Sequence, residues 1–106
     1  MSHIYIACPY TKGDVETNVN RCIDTANVLA KLGHTPFAPL LFHYWHLRWQ
    51  HGYEFWIEQS LAWLRKCDYI IRLPGESDGA DRELVWAERW GIELVSFQEL
   101  CERQLS

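Results

Sequence analysis

Residues 63–95, WLRKCDYIIRLPGESDGADRELVWAERWGIELV, hold a strand, a loop, a helix and a second strand in succession. The run 68–73 (DYIIRL) is short and apolar and reads as a strand. PGESDG at 74–79 is rich in turn residues. Residues 80–90 read as a helix that Gly91 ends, and 92–95 as the next strand. A strand, a crossover helix and a strand imply a parallel pair.

The same alternation extends outward from this unit. Upstream, Trp56, Ile57, Ser60, Leu61 and Leu64 form one stripe, so 53–66 reads as a helix, with Arg65 and Lys66 suiting its C-terminal end. At the start of the chain, IYIAC at 4–8 is apolar without alternation, which points to a strand covered on both faces. Asp14 can cap the following helix, in which Val19, Cys22, Ile23, Ala26, Leu29 and Ala30 recur at helical spacing and Gly33 ends the run. HTPFA at 34–38 reads as a second strand, weakened by Pro36 and suited to an edge. Residues 39–52 mix aromatics and histidines without a clean period and read as a loop with a helical turn. Ser96 can cap a last helix over 97–104. The expectation is one α/β domain over residues 1–106, doubly wound in the flavodoxin or Rossmann manner, with a parallel sheet of four or five strands. In such sheets ligands bind beyond the carboxyl ends of the strands. The loops 8–14 and 74–79 stand there.

Composition narrows the function. The formal net charge is −4, which disfavours a nucleic-acid polymer as partner, and the acidic excess lies mostly between Glu76 and Glu93. Cys8, Cys22, Cys67 and Cys101 form no CxxC and read as reduced, buried thiols of a cytoplasmic protein. The amino-terminal residues carry no signal-like pattern, and no apolar run reaches the ~20 residues of a membrane span. Six tryptophans are many for so short a chain, and some are expected to line a cavity or an interface.

The second loop opens a helix, where free N–H groups favour an anion. Ser77 adds a hydroxyl, and Gly79 lets a ligand approach. Equally, Ser77 or Asp78 can be no more than the helix cap. The loop is neither a Walker A loop nor a GxGxxG turn. Glu83, read as lying in the first helical turn, is expected to be held ionised by the helix dipole, as a glycosyl nucleophile requires. The plainer reading sets it on a solvated face. His43 and His46 are three apart and would share a helix face, but no carboxylate or cysteine nearby completes a metal site, so neither metal nor cofactor is expected. Cys8 as a thiol nucleophile would require a histidine beside it.

The strand and loop IYIACPY, together with residues 63–95, resemble the nucleoside 2-deoxyribosyltransferases. The resemblance is to the small bacterial and phage branch of that superfamily. The spacing Ser77-x-Gly79-x-x-x-Glu83 is similar to that of the 2′-deoxynucleoside 5′-phosphate N-hydrolases. The resemblance implies a nucleoside or nucleotide substrate, cleavage or transfer at its N-glycosidic bond, and Glu83 as nucleophile. Ser77 and Gly79 would hold a 5′-phosphate, with Asp78, Cys8 and Pro9 beside the substrate. Tyr10 falls near a tyrosine that orients the catalytic carboxylate, and Asp68 is structural. Where relatives carry an aspartate before the third strand, this chain has Ser60, with Glu58 adjacent. Either Glu58 takes that role or the role is missing. The proton for the leaving base would come from Glu58, Tyr10 or a histidine within 43–51. From their chemistry alone, His43, His46 and His51 with Phe42, Tyr44, Trp45 and Trp49 would line a lid over the base or face a partner chain. Relatives are oligomeric, which implies a homodimer or larger assembly. Two other readings stand beside the enzyme: a non-catalytic nucleotide-binding module, which Ser60 favours, and an interaction domain built on the tryptophans.

Overall fold

The computed structural model describes residues 2–105. Four strands, β1 (His3–Ala7), β2 (Thr35–Phe37), β3 (Tyr69–Arg72) and β4 (Glu93–Leu94), form one parallel sheet in the order β2-β1-β3-β4. Tyr5 lies opposite Phe37 on one side and Ile70 on the other. This is the flavodoxin-like order, and the expected four-to-five-strand sheet has four. Its connections leave in opposite directions between β1 and β3, so a crevice opens at the carboxyl ends of these two strands.

Alternate residues of β1 serve opposite layers. Ile4, Ile6 and Cys8 pack with Val19, Cys22 and Leu29 of helix α1 (Val15–Lys31) and with Leu100 of helix α5 (Phe97–Leu105). Tyr5 and Ala7 pack on the other face, against Leu64 of helix α3 (Tyr53–Leu64) and Ala80 and Ala87 of helix α4 (Asp78–Arg89). Strand alternation therefore turns the one polar side chain of the buried run toward α4.

The local signals operate as their chemistry dictates. The Asp14 carboxylate accepts from the Thr17 N–H at 3.0 Å and caps α1. Gly33 and Gly91 take positive φ just past α1 and α4, where a side chain would be strained. Ser96 and Glu99 cap each other's backbone N–H at 3.0 Å to start α5. Asp68 accepts from the His3 N–H at 2.8 Å, which ties the start of β3 to that of β1.

Three expectations are corrected. Residues 39–52 are not mainly loop: a 3-10 turn (Pro39–Leu41) leads into helix α2 (Phe42–Arg48). No apolar period marked this helix, because aromatic packing across to α3 holds it. Trp45 and Trp56 meet edge to face at 4.9 Å, and Phe42 lies 5.6 Å from Trp56. Second, α4 starts at Asp78, with Ser77 as its cap, which puts Glu83 in the second turn rather than the first. Third, Cys67 and Cys101 are half-buried, whereas Cys8 and Cys22 are buried as expected. Among the described residues no helix is long and apolar enough to cross a membrane.

Candidate functional site

A cavity of about 570 Å³ opens at the β1/β3 crevice. Cys8 and Tyr10 supply one wall, from the loop after β1. The first turns of α4 supply a second, with Ser77, Gly79 and Glu83. Phe42, His43 and His46 of α2, with Trp56 and Ser60 of α3, close the remaining sides.

Glu83 is 6% exposed and faces the Tyr5 ring across the layer boundary. The Tyr5 hydroxyl donates to the Glu83 Oε2 in a short hydrogen bond. Ser60, also buried, faces the same Tyr5 hydroxyl and holds its pKa down against burial. Residues of α3, β1 and α4 thus meet at this point of the cavity, with Tyr5 bonded to Glu83. Burial pushes the Glu83 carboxyl up to about 7. The Tyr5 hydrogen bond and the Arg72 charge hold it down against that burial, and Cys8 adds a small push upward. The expectation of a carboxylate held ionised by the helix dipole is therefore corrected. A dipole acts within the first turn, and here desolvation in the second turn is the larger effect. A carboxyl poised near neutrality is the kind of group that active sites contain.

Arg72 braces the loop around this group. Its guanidinium donates to the Gly75 carbonyl at 2.8 Å, to the Leu73 carbonyl, and to Asp81 at 3.1 Å. From the other side, Arg21 donates to the Pro74 carbonyl at 2.7 Å. The Ser77 hydroxyl accepts from the Ala80 N–H at 3.1 Å, so it caps α4 and lines the cavity at once. Gly75 has φ +123°, and a Cβ there would come 2.8 Å from the Pro9 ring. Gly75→Ala is accordingly expected to cost about 1–3 kcal/mol in thermal or urea unfolding. An unchanged midpoint would mean that the loop relaxes freely.

Cys8 is fixed on the same wall. Its thiol is drawn down to about 7, first by a hydrogen bond from Cys22 and then by Arg21, while burial opposes the shift. Arg21 lies 3.7 Å from its sulfur, and the sulfur lies 3.8 Å from the Asn18 carbonyl. None of these partners is a histidine, so the base that a cysteine nucleophile requires is not paired with it.

A family model matches residues 2–97. The chain belongs to the DUF7768 family. That family is described as a domain of unknown function. Among solved structures, this DUF7768 chain is similar to a 2-deoxyribosyltransferase from the psychrotolerant bacterium Bacillus psychrosaccharolyticus, described as a biocatalyst for nucleoside synthesis. The TM-score is 0.64 at 22% identity, over 89% of this chain and 70% of the other. The two share a fold. No curated protein matches the sequence.

Of the residues singled out from the sequence of this DUF7768 domain, Cys8, Tyr10, His43, Ser60, Ser77, Asp78, Gly79 and Glu83 line the one cavity. Three do not. Glu58 faces solvent on the outer side of α3, because it lies two residues from buried Ser60 and so on another helix face. Pro9 is buried against Gly75 and shapes the loop rather than the cavity. Trp45 packs behind Trp56 and is 40% exposed on its outer side. Tyr10 is in the cavity but does not orient Glu83. Its hydroxyl lies 2.6 Å from His43 Nδ1 instead, and the residue that holds the carboxylate is Tyr5. Sequence reasoning passed over Tyr5 as part of an apolar strand. The signal was there: a tyrosine hydroxyl inside IYIA requires a buried partner. Trp56, Tyr53 and Arg82 were also missed as lining residues, whereas His46, within the expected 43–51 histidines, does line the cavity. Arg82 is held at the rim by Glu54 at 2.8 Å.

Proposed function

We propose that this chain cleaves or transfers at the N-glycosidic bond of a nucleoside or nucleoside 5′-monophosphate, with Glu83 as the nucleophile. The observation that carries the reading is the buried Glu83 carboxyl, aimed into a nucleoside-sized cavity and held by Tyr5. The fold shared with a 2-deoxyribosyltransferase supports it. In the reaction Glu83 attacks the anomeric carbon as the bond to the base breaks, giving a glycosyl ester on the enzyme. Water then releases the sugar, or a second base takes it. The apolar and aromatic side of the cavity, with Phe42 and Trp56, suits a planar base. Ser77, Asp78, Gly79 and the start of α4 suit the sugar hydroxyls or a 5′-phosphate.

Incubating the chain with a 2′-deoxynucleoside and a second, labelled free base tests this reading. A new labelled nucleoside identifies a transferase, and free sugar with free base identifies a hydrolase. Neither product from any of the common nucleosides or their 5′-monophosphates would overturn the enzyme reading. Ser60, a neutral residue where relatives of this kind carry a carboxylate, favours the second reading, a nucleotide-binding module. That reading requires a nucleotide to raise the melting temperature without being consumed.

A further inference from the structure

Resting on the reading above, we infer that His43 is the acid that protonates the departing base, with Tyr10 holding its ring. The cavity presents His43 and His46 one helical turn apart on α2, and the two differ in what their Nδ1 atoms meet. At His46, Nδ1 accepts from the Trp56 indole N–H at 2.9 Å and from the His51 backbone N–H at 3.3 Å. An indole nitrogen can only donate. The proton of His46 is therefore on Nε2, and a second proton on Nδ1 would set N–H against N–H. The Nδ1 of His46 is thus already occupied as an acceptor. At His43, Nδ1 faces the Tyr10 hydroxyl at 2.6 Å. A hydroxyl both donates and accepts. His43 can thus gain and lose a proton while keeping this bond, which is what a general acid must do.

The competing donors are each held less suitably. Glu58 is outside the cavity. The Tyr10 hydroxyl is committed to His43, and burial raises its pKa, which makes it a poorer acid. His51 stacks on Phe55 at 3.8 Å. His43 adjoins Phe42 on the aromatic side of the cavity, where a stacked base would lie. In the step, the C1′–N bond breaks and its electron pair goes to the base nitrogen. That nitrogen takes the proton from imidazolium His43, and the Glu83 oxygen forms the new bond to C1′. The base leaves neutral, His43 is left neutral, and water restores its proton.

The test compares two leaving groups on one sugar: the natural base, which requires a proton, and 4-nitrophenolate, which leaves as an anion. His43→Gln and His43→Ala are expected to slow base release about 10²–10⁴-fold and to slow nitrophenolate release far less. Tyr10→Phe is expected to act in the same direction by a smaller factor, and Glu58→Gln to change neither rate. Nitrophenolate release by the variants also shows that their site is folded. Equal slowing of both leaving groups, or of neither, would overturn the assignment of His43. A native chain that releases neither leaving group would overturn the glycosidase reading and His43 with it.

Discussion

Glu83→Gln is expected to lose base release by at least about a thousandfold and yet to melt higher than the native chain above pH 7. The catalytic half follows from removing the proposed nucleophile, the cavity carboxylate that Tyr5 holds. The stability half follows from burial. The Glu83 carboxyl is pushed up to about 7 in the fold, against about 4.3 in an unfolded chain. Between these values the native state holds a proton that the unfolded state has lost. Stability is therefore full below about pH 4.3, falls as pH rises through that window, and levels off above about 7. The total is about 4 kcal/mol. Glutamine keeps the shape and an acceptor for Tyr5 but carries no charge, so it escapes that loss. Melting curves of both proteins from pH 4.5 to 8.5 should coincide at the acid end and separate by about 15 °C at the alkaline end. Parallel curves would mean that Glu83 is not desolvated as its 6% exposure implies.

Tyr5→Phe should show that the carboxylate is tuned from the neighbouring strand. The Tyr5 hydrogen bond lowers the Glu83 pKa against desolvation. Such a charge-assisted bond is worth about 1.5–3 kcal/mol, which corresponds to one to two pH units. Its loss should carry the rising limb of kcat/KM upward by that amount. Activity near pH 6 then falls about 10- to 100-fold, and near pH 9 it recovers to within a few-fold of native. Ser60→Ala, which removes the hydroxyl that acts on Tyr5, should move the limb the same way by less. A loss equal at every pH would make Tyr5 a packing residue only.

The fold was readable because β1 and β3 were short apolar runs and α1 and α4 each ended at a glycine. Asp14, Gly33, Gly91 and Ser96 do at their positions what their chemistry allows anywhere. The α2 segment was not readable. Its helix is fixed by rings from α3 meeting Phe42 and Trp45, and a sequence window sees no partner outside itself. The candidate site was legible to the extent that one loop carries it: Ser77, Gly79 and Glu83 fall within seven consecutive positions that open a single helix. What escaped was contact across layers. Tyr5 is 78 residues from Glu83, and Tyr10 is 33 from His43. Only the parallel pairing of β1 with β3 brings the first pair together, and only the roof formed by α2 the second. The ionisation of Glu83 escaped for the same reason. Its place in the helix favoured charge, while the strand and helices packed over it disfavoured charge by more.

The most direct test of Glu83 as the reacting group is chromatography for free base. Native chain and Glu83→Gln are each incubated with ribo- and deoxynucleosides and their 5′-monophosphates. The account predicts base from at least one substrate with the native chain, and at least about a thousandfold less of it with the variant. Base release that survives intact in Glu83→Gln would contradict it.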